Sequence, residues 1–297
     1  MAWITDGSDG FAVNVDVVTH VDNKGVDNVF NAMWQDGDGV SSGEHYWKIH
    51  FPTLESGAGV GLTSKDYFKK GYACRAINYL GNLSNCGGLL VGNFGPRPKQ
   101  ADTIGILAVY EGDRLKVYVD ENGTSLGLAF NVPASTFKSI FPVVSFHSSG
   151  SATCTKQTEI PKVTSRASAT FTGIEGDWKL TNLEENAVVL DLPLKPTAKL
   201  TKIDTDKYSF NVHVINRMWT NLFKADGDWK TSGVCSTMIG GDPESMKFED
   251  TVGSLIEKVK VVEVDAGGNL SVKSDTLSST WTRYDSTPGP FVGEPFA

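Results

Sequence analysis

The sequence predicts a mainly β protein, built as an N-terminal antiparallel β-sandwich followed by a small β-rich domain with one packed helix. Three observations predict it. Glycine is frequent at 31 residues and aromatic side chains reach 10% of the chain, which suits tight turns and pleated, half-buried surfaces. Several segments alternate apolar and polar residues with a period of two, the strand signature. Only one segment carries a convincing helical period.

The length of 297 residues fits two domains better than one. Strand segments recur from the start. Phe11–Val18 alternates well enough for a strand, and Tyr46–Phe51 is dense in β-formers. Ile104–Tyr110 is a nearly continuous apolar run, as expected of a strand buried on both faces. Leu115, Val117 and Val119 alternate with polar residues up to a turn at Asn122-Gly123, and the chain returns through Leu126, Leu128 and Phe130 as a hairpin. Phe141–Phe146 adds a further strand.

Between Thr155 and Thr170 large apolar residues thin out, which marks a linker. The expected organisation is a first domain over 1–160, a linker over 161–171, a second domain over 172–285 and a Pro/Gly-rich extended tail over 286–297. In the second domain Tyr208, Phe210, Val212 and Val214 lie on one face of a strand. The helix follows Gly240-Gly241. Asp242 is its N-cap, Pro243 its first residue, and Phe248, Val252, Leu255, Ile256 and Val259 its apolar face, with Lys258 and Lys260 near the end.

Composition narrows the function. A net charge of −8 offers no general attraction for nucleic acid or anionic lipid, so neither is an expected partner. No apolar stretch is long enough to span a membrane, and the first residues do not resemble a signal peptide, so a cytoplasmic location is expected. The four cysteines, Cys74, Cys86, Cys154 and Cys235, are widely spaced and expected to be free, buried thiols.

A search for chemistry finds no catalytic constellation. The five histidines form no metal-ligand pair, and His45 and His50 would face opposite sides of one strand. The glycine-rich Gly57–Gly61 opens no helix and is followed by no phosphate-binding lysine. The Asp-Gly clusters near the N-terminus lack the alternating carboxylates of a calcium loop. Cys235-Ser236-Thr237 has no neighbouring base in sequence. No cofactor, metal or catalytic residue is therefore expected.

Binding residues are sought on long loops and exposed aromatics. The segment 75–99 is weak in strand signal and supplies Arg75, Asn78, Tyr79, Phe94 and Arg97. Trp219 and Trp229 flank the stretch 220–228, with Phe223 in it, read either as a hairpin tip that presents its aromatics to a partner or as packing within the domain. The tail, with three prolines and two glycines among its last dozen residues, carries Phe291 and Phe296, which dock either on the chain's own body or on a partner.

Four blocks in order, Ser42–Ile49 with Tyr46-Trp47, Gly59-Val60-Gly61-Leu62, Asp102-Thr103-Ile104-Gly105 with the later Gly127–Phe130, and Phe141-Pro142-Val143-Val144, resemble a SPRY domain. Lys48 stands where that family often has glutamate. In the second half, Gly176–Leu180, Ser236–Met246 with the helix containing Glu249, and Gly268–Val272 resemble a META domain, related to a bacterial heat-shock lipoprotein and found in trypanosomatid protists. The resemblance implies a non-catalytic interaction or scaffold protein whose SPRY-like domain recognises a protein partner, in a cytoplasmic, cytoskeletal or flagellar assembly. The competing expectation is small-ligand binding or hydrolysis in a pocket of either domain.

Overall fold

The computed structural model describes residues 2–21, 29–85, 87–163, 166, 173–286 and 288–296. The expected linker lies largely outside them, as does Cys86. The chain divides into two compact units, Met1–Ala167 with Thr287–Ala297, and Ser168–Ser286. The second unit is thus inserted, in chain order, before the last segment of the first.

The first unit is a β-sandwich. One sheet runs in the order Ala2–Thr5, Phe30–Gln35, Phe141–Phe146, Ala58–Thr63, Ala76–Tyr79, Leu83–Ser84, Leu89–Val91. The other runs Phe11–Asn14, Val17–His20, Gly150–Gln157, Glu44–Leu54, Thr103–Glu111, Arg114–Glu121, Thr124–Pro133, Phe291–Val292. Their inner faces share one core, with Trp34, Val60 and Phe146 from the first sheet meeting Trp47, Ile106, Val117 and Phe130 from the second. Ile104–Ala108 is buried without interruption, as a central strand covered on both faces requires.

Two strand expectations change in detail. Phe11–Val18 is a hairpin rather than one strand, because Val15 turns the chain at φ +51° and Phe11–Asn14 pairs back on Val17–His20. The Trp3 indole steadies that turn by donating to the Asp16 carbonyl at 2.8 Å. In the Asn122-Gly123 hairpin both turn residues take positive φ, as a two-residue turn of this kind demands. The returning strand then shifts register twice, at Leu126-Gly127 (Gly127 φ +81°) and again at Ala129, so that Leu128 faces outward beside Tyr118 while Leu126 and Phe130 stay in the core.

The second unit is a ten-stranded antiparallel sheet. Its ends approach one another, since the Trp229 amide donates to the Lys260 carbonyl at 2.9 Å. The helix Pro243–Glu257 packs on it through Phe248, Val252, Leu255 and Ile256, against Trp178, Leu200, Phe210 and Trp281. Asp242 caps the helix by accepting from the Ser245 amide at 3.0 Å. Lys258 is its C-cap, whereas Lys260 lies beyond it and pairs with Asp275 at 2.7 Å.

Cys74 and Cys154 are buried, but Cys235 is not: it lies exposed on a two-residue strand that pairs beside Trp219. No helix among the described residues is long and apolar enough to cross a membrane.

Candidate functional site

The segment 75–99 is not a long loop. It forms three short strands, Ala76–Tyr79, Leu83–Ser84 and Leu89–Val91, that extend the seven-stranded sheet. Strand alternation therefore decides the fate of its residues. Tyr79 points inward and is fully buried, and Phe94 packs edge-to-face on it at 6.3 Å. The Tyr79 hydroxyl donates to the Pro96 carbonyl, and burial followed by the Glu121 carboxylate raises its pKa. Both side chains hold the core and neither is a surface contact. Asn78 points to the outer face but is buried too, donating to Ser145 Oγ at 3.3 Å, which donates to Asn31 Oδ1 at 2.8 Å.

That outer face holds a groove. Two adjoining cavities of ≈ 290 Å³ and ≈ 450 Å³ share Leu80 and His147 in their walls. The smaller has Asn78 and Ser145 in its lining, together with the apolar Tyr72 (54% exposed) and Leu89 (67% exposed). The larger is lined by Arg97, Lys99 and Glu55. Gly81 takes φ +85° and has the Arg97 stem across it, where a Cβ would lie 2.8 Å from Cγ. His147 meets solvent over much of its surface. Even so, enclosure by the surrounding walls, and then the Arg97 guanidinium, lower its pKa and favour the neutral imidazole. The groove thus joins apolar, cationic, acidic and hydrogen-bonding groups.

A second recess, of ≈ 450 Å³, lies on the outer face of the eight-stranded sheet under residues 157–163. Gly105 makes the notch. A Cβ there would stand 1.9 Å from Asp120 Oδ2 and 2.5 Å from the Tyr46 hydroxyl, which meet over it in a 2.8 Å hydrogen bond. Burial, then Asp120, raises the Tyr46 pKa. Lys48 stands beside the Tyr46 ring, 5.9 Å from its centre. Tyr46→Phe should cost about 2 kcal/mol, since a hydrogen bond to a carboxylate contributes more than one between neutral groups. Urea unfolding measures it, and an unchanged midpoint would mean that water replaces the bond.

In the second unit, the stretch expected as a tip-like loop is mostly strand, Arg217–Ala225, with a tight turn at Asp226-Gly227. Trp229 is accordingly buried, edge-to-face with Tyr208 at 5.8 Å, because its strand alternation turns it inward. Phe223 is half-buried. Trp219 remains 45% exposed. Met238 and Ile239, both exposed, were not foreseen as surface anchors. Their one sequence signal is an apolar pair directly before Gly240-Gly241.

The tail does dock on its own unit. Phe291 lies beside Phe130 on the edge strand, and Phe296 meets Arg75, remote in sequence, whose guanidinium stands 6.0 Å over its ring. Among the described residues no group of three or more His, Cys, Asp or Glu is placed to hold a metal ion.

No family model matches the chain, and no curated protein matches it. Among solved structures, the SPRY domain of human HERC1 aligns with 19% identity and a TM-score of 0.38, covering 54% of this chain and 97% of that one. A second human SPRY domain aligns with 18% identity and a TM-score of 0.40, over 52% of this chain and 96% of that one. A protein from Burkholderia xenovorans, solved by NMR, aligns with 15% identity and a TM-score of 0.32, over 42% and 99% respectively.

Proposed function

We propose that the chain is a non-catalytic interaction protein whose first unit recognises a segment of a protein partner in the groove around Leu80 and His147. The observation that carries this is the groove itself, with Tyr72 and Leu89 exposed beside Arg97, Lys99 and buried hydrogen-bonding groups. Apolar anchors ringed by polar groups are the anatomy of recognition surfaces. The four SPRY-like sequence blocks favour the same reading. The exposed Trp219, Met238 and Ile239 offer a further surface on the second unit. The pairing of SPRY-like and META-like blocks suggests a protist cytoplasmic or flagellar assembly, which fluorescent tagging of the native protein in cells tests.

The decisive experiment is co-purification from native cells, followed by binding measurements with the purified partner. Leu89→Asp and Arg97→Glu should each weaken binding at least about tenfold, as hot-spot substitutions do, while Val188→Asp on the second unit should not. Unaltered affinity in both groove variants would remove the groove from the function.

A second reading, small-ligand binding, rests on the open recess that Lys48, Tyr46 and Asp120 line together. A ligand that raises the melting temperature of the wild type but not of Lys48→Ala would favour it over partner recognition.

A further inference from the structure

Thr124–Pro133 is the last long strand of its sheet, and such an edge presents unpaired amides and carbonyls that recruit other strands. The C-terminal segment covers this edge. Phe291–Val292 pairs with it in parallel, Phe291 beside Phe130 and Val292 beside Asn131, and the Gly293 amide donates to the Asn131 carbonyl at 3.3 Å. Further on, Phe296 enters an aromatic seat. Its ring lies edge-to-face with Tyr67 at 5.6 Å and Phe137 at 5.8 Å, and Arg75 stands over both Phe296 and Tyr67. Between the two anchors, Asn85 Nδ2 donates to the Pro295 carbonyl at 2.5 Å.

These are the means by which domains hold an extended peptide: strand addition at an edge, an aromatic pocket and a side-chain amide that fixes a backbone carbonyl. They are also few. The ladder is two residues long and Val292 is 60% exposed. Phe291 and Phe296 pack against the core without becoming part of its buried set. Three prolines within 288–296 leave the segment little competing hydrogen-bonded structure when it lets go. It is joined to its seat through the whole second unit, so it acts as a tethered ligand.

We propose that this seat is a peptide-binding site which the chain's own tail occupies, and that its partner is an extended protein segment of the pattern Phe-x-x-x-Pro-Phe, the pattern of Phe291–Phe296. Such a segment displaces the tail, pairing with the edge at its first phenylalanine and filling the Tyr67–Phe137–Arg75 seat with its second. The site is separate from the Leu80–His147 groove, and either stands without the other.

The test uses the full chain and a fluorescent synthetic peptide of the sequence of residues 288–296. The intact protein should bind it weakly, because the tethered tail competes intramolecularly for the same seat. The full-length Phe291→Ala/Phe296→Ala variant should bind at least about tenfold more tightly. Adding Phe137→Ala, or replacing both phenylalanines of the peptide, should abolish the gain. A folded double variant, by near-ultraviolet circular dichroism, that binds no better than the intact chain overturns the proposal. Should the double variant not fold, hydrogen exchange on the intact chain decides. The proposal requires the Gly293 amide to exchange faster than the Val117 amide, through local opening, and equal rates set by global unfolding refute it. Concentration-dependent dimers of the intact chain by light scattering, lost in the double variant, would show tail exchange between copies and overturn the assignment to a separate partner.

Discussion

Glu249→Ala should destabilise the second unit by about 4 kcal/mol, since it strips the partner from three donors at once and each unmet buried donor costs roughly 1–3 kcal/mol. Glu249 sits in the middle of the helix and is buried. Its Oε2 accepts from the amides of Ile215 and Asn216 at 2.8 and 2.6 Å, and its Oε1 from Asn216 Nδ2 at 2.7 Å. Asn216 in turn accepts through Oδ1 from Thr237 Oγ1 and the Ile239 amide, at 2.8 and 2.7 Å. One carboxylate therefore ties the helix to two turns, including the one that presents Met238 and Ile239. Guanidinium unfolding of the full chain, followed by tryptophan fluorescence, measures the loss. Hydrogen exchange places it, with protection falling at Ile215, Asn216 and Ile239 and unchanged in the first unit. Uniform loss across both units would contradict a local tie.

The same carboxylate carries a pH dependence. Burial alone would raise its pKa, but the bonds from Asn216 and Ile215 outweigh it and hold the value below the ordinary 4.5. A lowered folded-state pKa stabilises the ionised form, so its contribution is complete above the unfolded value. As pH falls below about 4.5, toward the lowered value, the contribution fades. The stability gap between wild type and Glu249→Gln should therefore shrink in that acidic window.

Much of the architecture was legible because it is local. The Asn122-Gly123 hairpin, the run Ile104–Tyr110 and the Asp242-Pro243 helix start each declare themselves within a few residues. What escaped depends on pairing at long range. Nothing near residue 291 says that it will lie beside Phe130. The weak strands of 75–99 exist because Ala58–Thr63 offers them an edge, and that edge decides which of Asn78 and Tyr79 faces outward. Glu249 was visible as part of the META-like block, but its three donors come from a turn over thirty residues away. The aromatic seat was legible only as scattered members, Arg75 and Phe296, with Tyr67 and Phe137 carrying no signal at all.

Gly61→Ala should cost about 3 kcal/mol, the upper range for forcing volume into packed structure, whereas Gly59→Ala, two residues away in the same block, should cost under about 1 kcal/mol for want of any close contact. Both glycines lie on the outer face of strand Ala58–Thr63, either side of the inward Val60. A Cβ on Gly61 would stand 1.9 Å from the Ile77 carbonyl oxygen and 2.2 Å from Asn78 Oδ1, and the first of these is backbone that cannot rotate aside. A Cβ on Gly59 would meet nothing nearer than 3.6 Å, ordinary contact with the Asn78 and Ser145 side chains. Neither glycine takes a positive φ, so the two substitutions differ in crowding and not in backbone conformation. The Gly-Val-Gly block thus has two separate physical roles. Gly61 lets strand Ala76–Tyr79 approach closely enough to place Asn78 in the groove floor, and Gly59 leaves the space beside Ser145 open. Thermal and urea unfolding of the two variants side by side test the first role, and equal destabilisation would refute it. Partner affinity tests the second: Gly59→Ala should weaken binding while leaving stability near wild type, because its methyl group stands next to Asn78 and Ser145, which line the groove.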